Sequence, residues 1–281
     1  MRLDLALRES RQRLASNGID SAPLDARVLL KAVLKCDDRY LFTYPEQQLT
    51  EAQQRQLASS IERRLQGEPI AYITGLRAFW DFELKVSPAT LIPRPETEVL
   101  VETALQYVSR DDAVICDLGT GTGAIALALA KERPSWRVVG VDKSPEAVSL
   151  AQFNCAQLSI TNATFSCSDW FSALHAQRFD LIVSNPPYVE PDSPYLALGD
   201  VRFEPHSALT ANDNGYADLA QIVRQAPEFL ANDGWLMVEH GYQQGPRVQA
   251  YLQDAGFQSI ETVCDLQQLP RVTIGSWFSP Q

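Results

Sequence analysis

The chain has 281 residues, 45% of them hydrophobic, which suits one large domain or two with a real core. Lys and Arg number 24 against 35 Asp and Glu, a net charge of −11. A protein that lives on duplex nucleic acid carries a basic footprint, so this balance weighs against autonomous DNA binding and leaves only a local basic patch open.

Cys36, Cys116, Cys155, Cys167 and Cys264 are widely spaced, odd in number and without a C-x-x-C pair, and His175, His206 and His240 are scattered. Neither a disulfide framework nor a metal site is expected. Acidic Asp4 and Glu9 interrupt the N-terminus, with no continuous apolar stretch of the secretory kind. No apolar run approaches the ~20 residues of a membrane span. The expectation is a reduced, soluble, cytoplasmic chain that engages no membrane.

From Leu3 to about Gly67 the apolar spacing is helical. Leu3, Leu7 and Leu14 share one face, and Ala26, Leu29, Leu30, Val33 and Leu34 another. Gly18, Pro23 and Pro45 punctuate the stretch. Thr50-Glu51 with Gln53 opens a further helix in capping-box style, running through Leu57 and Ile61 to Leu65 and stopping at Gly67. Residues 1–75 therefore read as a small helical domain, with Arg63-Arg64 on a solvated face. From Phe79 to Val86 the period becomes two, which predicts a strand returning through Thr90 to Ile92 as a hairpin linker over 76–93. Pro95 can open the next helix, with Glu96 and Glu98 at its positive end, and that helix runs to about Val108.

The rest, 94–281, alternates strand and helix in the manner of a doubly wound, mostly parallel α/β sheet. The seven candidate strands are Val114–Leu118, Arg137–Val141, Thr164–Cys167, Leu181–Val183, Trp235–Glu239, Ser259–Val263 and Val272–Trp277. Helices fall at about Ala124–Glu132, Pro145–Leu158, Tyr216–Leu230 and Gln244–Ala255. The last two strands lack a helix between them, so the final one is expected to be antiparallel.

Asp117-Leu118-Gly119-Thr120-Gly121-Thr122-Gly123-Ala124 occupies the first strand–helix turn, where glycines allow close backbone approach to a ligand and a helix N-terminus suits an anion. Asp142 ends the second strand, where an acidic residue typically takes ribose hydroxyls. Gly119, Gly121 and Ala124 also satisfy a dinucleotide fingerprint, so an NAD site is a rival. After the third strand, Asp169 can accept from an adenine amine and Trp170 or Phe171 can pack on its ring. What separates the readings is Asn185-Pro186-Pro187-Tyr188 after the fourth strand. The residue before a proline is held extended, and each proline fixes its φ and lacks an N–H. Such a stiff turn offers the Asn185 oxygen and the Pro186 carbonyl to a substrate NH₂ group and leaves that nitrogen's lone pair facing an electrophile. A methyl donor needs such a nucleophile; a hydride-transfer enzyme has no evident use for one.

Asn185 to Tyr188 resembles the signature of class I S-adenosylmethionine methyltransferases that modify planar nitrogen. The whole chain resembles the peptide chain release factor N5-glutamine methyltransferases. The resemblance rests on Gly67-Glu68-Pro69-Ile70-Ala71-Tyr72-Ile73-Thr74-Gly75, Leu91 to Glu98, Asp117 to Ala124, Asn185 to Tyr188, and Asp200-Val201-Arg202-Phe203-Glu204-Pro205. Asn212-Asp213-Asn214-Gly215-Tyr216 and Gln267-Gln268-Leu269-Pro270 depart from the family's usual loops.

The resemblance implies a class I methyltransferase fold behind a helical domain that recognises the substrate protein. It also implies S-adenosyl-L-methionine as cofactor and methylation of the glutamine amide in the Gly-Gly-Gln loop of class 1 release factors, which modulates translation termination. Carried over, Gly119, Thr120, Gly121, Thr122, Gly123, Asp142, Asp169, Trp170 and Asn185 bind cofactor. Asn185, Pro186, Pro187 and Tyr188 hold the glutamine, with Asn185, Pro186 and Tyr188 closest to the chemistry. Tyr188 packs on the amide plane, its ordinary pKa of ~10 making it a poor base. Glu204 and His206 read as structural, and Leu91 and Ile92 as walls of the glutamine pocket. A monomer with no metal and no direct nucleic-acid contact is expected. The rivals are N6-adenine methylation of DNA or RNA and a non-catalytic binding module on the same fold.

Overall fold

A computed structural model of the chain describes residues 1–175 and 177–279. They divide into two compact units: Met1–Leu76 with Ala197–Phe203, and Arg77–Leu196 with the chain from Glu204 onward.

The first unit holds α1 (Leu3–Ala15), α2 (Ala22–Leu34), α3 (Asp38–Thr43), α4 (Glu51–Leu65) and α5 (Ile70–Thr74). Their apolar faces close on Leu3, Leu14, Leu29, Leu30 and Ile61, all buried. The capping box forms: Gln53 N donates to Thr50 Oγ1 at 3.2 Å, and Thr50 N donates to Gln53 Oε1 at 2.9 Å. Arg63 pairs with Glu68 near the surface, but Arg64 corrects the expectation of a solvated face. Its side chain is 14% exposed and lies between Asp25 and Asp200, at 2.7 and 3.0 Å. The pattern of α4 alone cannot reveal that Asp25 of α2 and the returning segment 197–203 meet one of these two arginine charges. That segment also explains Gly67, where a Cβ would overlap the Arg202 guanidinium.

In the second unit β1 (Leu76–Phe79) and β2 (Phe82–Lys85) form a two-stranded sheet. The alternating run from Phe79 is thus not one strand returning through Thr90. It reverses at Trp80-Asp81, with Trp80 at φ 56° and its N–H donating to Glu98 Oε1 at 2.8 Å. Reversal there lets Phe79 and Phe82 both turn inward, their rings 6.5 Å apart. A 3₁₀ turn at Pro95–Thr97 leads into α6 (Glu98–Tyr107).

Then follow β3 (Val114–Leu118), α7 (Ala124–Glu132), β4 (Arg137–Asp142), α8 (Pro145–Gln157), β5 (Ala163–Cys167) and β6 (Phe179–Ser184). The chain continues through α9 (His206–Leu209), α10 (Asn212–Gly215), α11 (Ala217–Gln225), β7 (Leu230–Glu239), α12 (Gly245–Asp254), β8 (Gln258–Cys264) and β9 (Pro270–Trp277). The seven strands stand in the order β5-β4-β3-β6-β7-β9-β8. All pair parallel except β9, which is antiparallel to β7 and β8, as the missing helix foretells.

The strand order reverses direction between β3 and β6, the kind of switch point where open α/β sheets bind ligands at their carboxyl ends. Leu118 of β3 registers with Val141 of β4 on one side and Ser184 of β6 on the other, so the loops after the three strands emerge together. Among the described residues no helix is long and apolar enough to cross a membrane.

Candidate active site

The turn after β3 is built tightly enough to show what it can hold. Gly119, Gly121 and Gly123 take φ of 71°, 55° and 84°, the left-handed region that glycine enters without penalty. Gly119 N and Thr120 N both donate to Val141 O at 2.9 Å, Gly121 N to Asp142 Oδ2 at 2.9 Å, and Gly123 N to Thr120 O at 2.8 Å. At the start of α7, Ala126 N donates to Asp117 Oδ2 at 3.3 Å. These groups are spoken for; among the described residues the N–H groups of Ala124 and Ile125, at the start of α7, have no backbone acceptor and line a cleft. A buried carboxylate stands at the turn. Asp117 takes the Thr120 hydroxyl at 2.6 Å on Oδ2, while its Oδ1 has no partner among the described residues. Burial pushes its carboxyl up to about 7, against the hydrogen bonds from Thr120 and Ala126.

The cleft opens beside this turn. Gly119, Thr120, Gly121, Thr122, Asp142, Asp169, Trp170, Asn185 and Pro187 all line it, with Leu91, Arg94 and Thr97 opposite. Gly123 stands behind the wall as the N-cap of α7. Trp170 lies flush on the turn: a Cβ on Gly119 would sit 3.3 Å from its Cζ3. Its backbone, at φ 48°, is held by Ser168 Oγ donating to Trp170 O at 2.7 Å.

A second cleft opens on the other side of the β6 turn. Asn185, Pro186, Pro187, Tyr188, Tyr195, Tyr216, Tyr242 and Arg271 are among its lining residues. Leu91, Arg94, Asn185, Pro187 and Ala208 line both clefts, so the tetrapeptide forms the wall between them. Ile92 is buried instead, its N–H donating to Glu204 Oε2 at 2.9 Å, and Glu204 also pairs with Arg94. Glu204 therefore fixes the wall that carries Leu91, whereas His206 is exposed.

The tetrapeptide is held rigidly from behind. Ser184 Oγ donates to Leu118 O at 2.8 Å, tying β6 to β3. Gln244 Nε2 donates to Tyr188 O at 3.1 Å, and a Cβ on Gly215 would overlap that same carbonyl. Gly215 has φ 85° and follows Asp213 and Asn214 at 52° and 53°. The unusual Asn212–Tyr216 segment is thus a left-handed turn that clears space for Tyr188.

Asn185 Nδ2 donates to Thr97 Oγ1 at 3.1 Å, and the Tyr188 hydroxyl lies 3.4 Å from Glu239 Oε1. Thr97 and Glu239 are both buried. Burial pushes the Glu239 carboxyl up to about 7, with Thr97, Arg271 and Tyr188 opposing the shift. The Tyr188 phenol is raised as well, by burial first and by Glu239 second, which removes it as a base at neutral pH. Sequence reasoning assigned no role to Thr97, Asp117, Ser184 or Glu239. Asp117, Ser184 and Glu239 lie at the carboxyl ends of strands, the one signal that could have singled them out.

A family profile described as the PrmC N-terminal domain matches residues 6–75, and one described as a methyltransferase domain matches residues 109–273. The chain is 50% identical to the release factor glutamine methyltransferase of Vibrio cholerae over 276 residues, 98% of this chain and 96% of that one. It is 48% identical to the release factor glutamine methyltransferase of Escherichia coli, covering 97% of this chain and 98% of that one. Among solved structures, a methyltransferase from Pyrococcus furiosus shares the fold, with a TM-score of 0.55 at 16% identity over 79% of this chain and 100% of that one.

Proposed function

The chain belongs to the release factor glutamine methyltransferases, and on that premise we propose that its first cleft holds S-adenosylmethionine and its second the target glutamine of a class 1 release factor. The observation that carries this assignment is the shared wall: Asn185 and Pro187 face both clefts at once. A group transferred between two bound molecules must pass such a point.

The first cleft suits this cofactor by its donor and acceptor chemistry. The carboxylate of Asp142, which lines the cleft, takes hydroxyl donors. Asp169 and Trp170 supply an acceptor and a ring face for an adenine. When bound, S-adenosylmethionine supplies an electrophilic methyl carbon on a sulfonium.

The chain's own residues do the rest. A carboxamide nitrogen is a poor nucleophile because its lone pair is delocalised into the carbonyl. Acceptors at Asn185 Oδ1 and the Pro186 carbonyl draw on the substrate N–H bonds, favour positive charge developing on nitrogen and align it. Holding the reactants in register can supply ~7–11 kcal/mol, and preorganised acceptors add electrostatic stabilisation without reorganising. Tyr188 packs the amide plane.

Residues 94–281 carry out transfer, 76–93 join the parts, and residues 1–75 recognise the substrate protein. Leu24, Phe42 and Tyr44, respectively 53, 79 and 52% exposed, support that last role. The enzyme acts in the cytoplasm as a monomer and without touching nucleic acid. The test is a split of two variants. Asn185→Ala lowers turnover on release factor at least ~100-fold with cofactor affinity nearly unchanged, whereas Asp142→Ala chiefly weakens cofactor binding. Turnover and calorimetry decide; equal losses in both quantities for Asn185→Ala remove it from the reacting centre.

A further inference from the structure

The Asn185 amide is two-faced, and only one face helps a substrate NH₂ group. Its Nδ2 donates to Thr97 Oγ1 at 3.1 Å, so Oδ1 is the end left for the cleft. Thr97 can accept that bond steadily only if its own hydroxyl hydrogen goes elsewhere. Glu239, 1% exposed, interacts with the Thr97 side chain, and has Oε1 3.4 Å from the Tyr188 hydroxyl and Oε2 without a geometric hydrogen-bond partner among the described residues. An ionised carboxylate has no proton to give, so it takes the Thr97 hydrogen and leaves the Thr97 lone pairs to Asn185.

We propose that Thr97 and Glu239 are positioning residues that fix which end of the Asn185 amide faces the reacting nitrogen. The inference rests on the reading of Asn185 given above. The groups facing Glu239 are Arg271 from β9, Tyr188 from the turn after β6, and Glu96 and Thr97 from the turn before α6. Arg271 favours the ionised state and Glu96 opposes it. Protonation turns Glu239 into a donor towards Thr97, frees the Thr97 hydrogen to point at Asn185, and permits the amide to flip. The flipped amide sets NH₂ against NH₂. Transfer therefore needs Glu239 ionised, although Glu239 touches neither reactant.

The experiment uses the full-length chain, purified release factor and S-adenosylmethionine with a labelled methyl group. Thr97→Val keeps the shape and removes the hydroxyl; kcat falls about 10- to 100-fold. Thr97→Ser restores kcat to within about threefold of the parent. The parent loses kcat as pH drops from 8 to 6, whereas Glu239→Gln is slow and flat over that range. Thr97→Val within twofold of the parent, Thr97→Ser as slow as Thr97→Val, or a Glu239→Gln profile parallel to the parent's overturns the proposal. A parent that labels no release factor overturns the functional reading instead, and this inference with it. A Glu239→Gln that fails to fold leaves the Thr97 pair to decide.

Discussion

Glu239 ends β7 in a buried position, and its carboxyl is pushed up to about 7 by that burial. The folded chain therefore holds a proton that the unfolded chain releases. Stability from this source is complete below the ordinary carboxylate range and is lost as pH rises through about 7. Asp117, raised to about 7 by the same cause, adds a contribution of the same sign. Glu239→Gln removes one of the two, so at pH 8 it should resist urea better than the parent by roughly 1–3 kcal/mol, the gap closing towards pH 5. An undiminished gap at pH 5 would contradict the assignment. At this scale the sequence was uneven as a guide. Asn185 is legible because two prolines announce a rigid turn beside it. Thr97 and Glu239 look ordinary in a Pro-Glu-Thr-Glu run and at a strand end, since only tertiary packing buries them together.

Among elements, β3 and α7 fall where periodicity puts them, since a short apolar run followed by three glycines has few other readings. The β1–β2 hairpin does not, because the reversal at Trp80-Asp81 uses a left-handed tryptophan in place of a glycine or asparagine. Gly215 shows the converse. Its φ of 85° and its closeness to the Tyr188 carbonyl leave no room for a side chain. Gly215→Ala should cost about 2 kcal/mol or more in a denaturant melt and reduce transfer more than cofactor binding. In α4, Arg64→Ala takes the cation from Asp25, which is buried in the first unit. A loss of about 3 kcal/mol in that unit is expected, read as faster amide exchange of α2 and α4. Arg63→Ala, at a half-buried pair, should cost about 1 kcal/mol, less than Arg64→Ala.

For the molecule as a whole, charge and fold point the same way. A net charge of −11 offers no general attraction for phosphate backbones. A doubly wound sheet brings two clefts together at its switch point. The proposed activity requires the Asn185 turn to present a carboxamide nitrogen of a release factor to a methyl donor. The most direct measurement offers labelled S-adenosylmethionine with release factor, DNA and ribosomal RNA separately, and maps the labelled product by fragmentation mass spectrometry. One methyl is expected on the side-chain nitrogen of the glutamine in the Gly-Gly-Gln loop, abolished by Asn185→Ala. Label on adenine, on another residue, or undiminished in Asn185→Ala would contradict it.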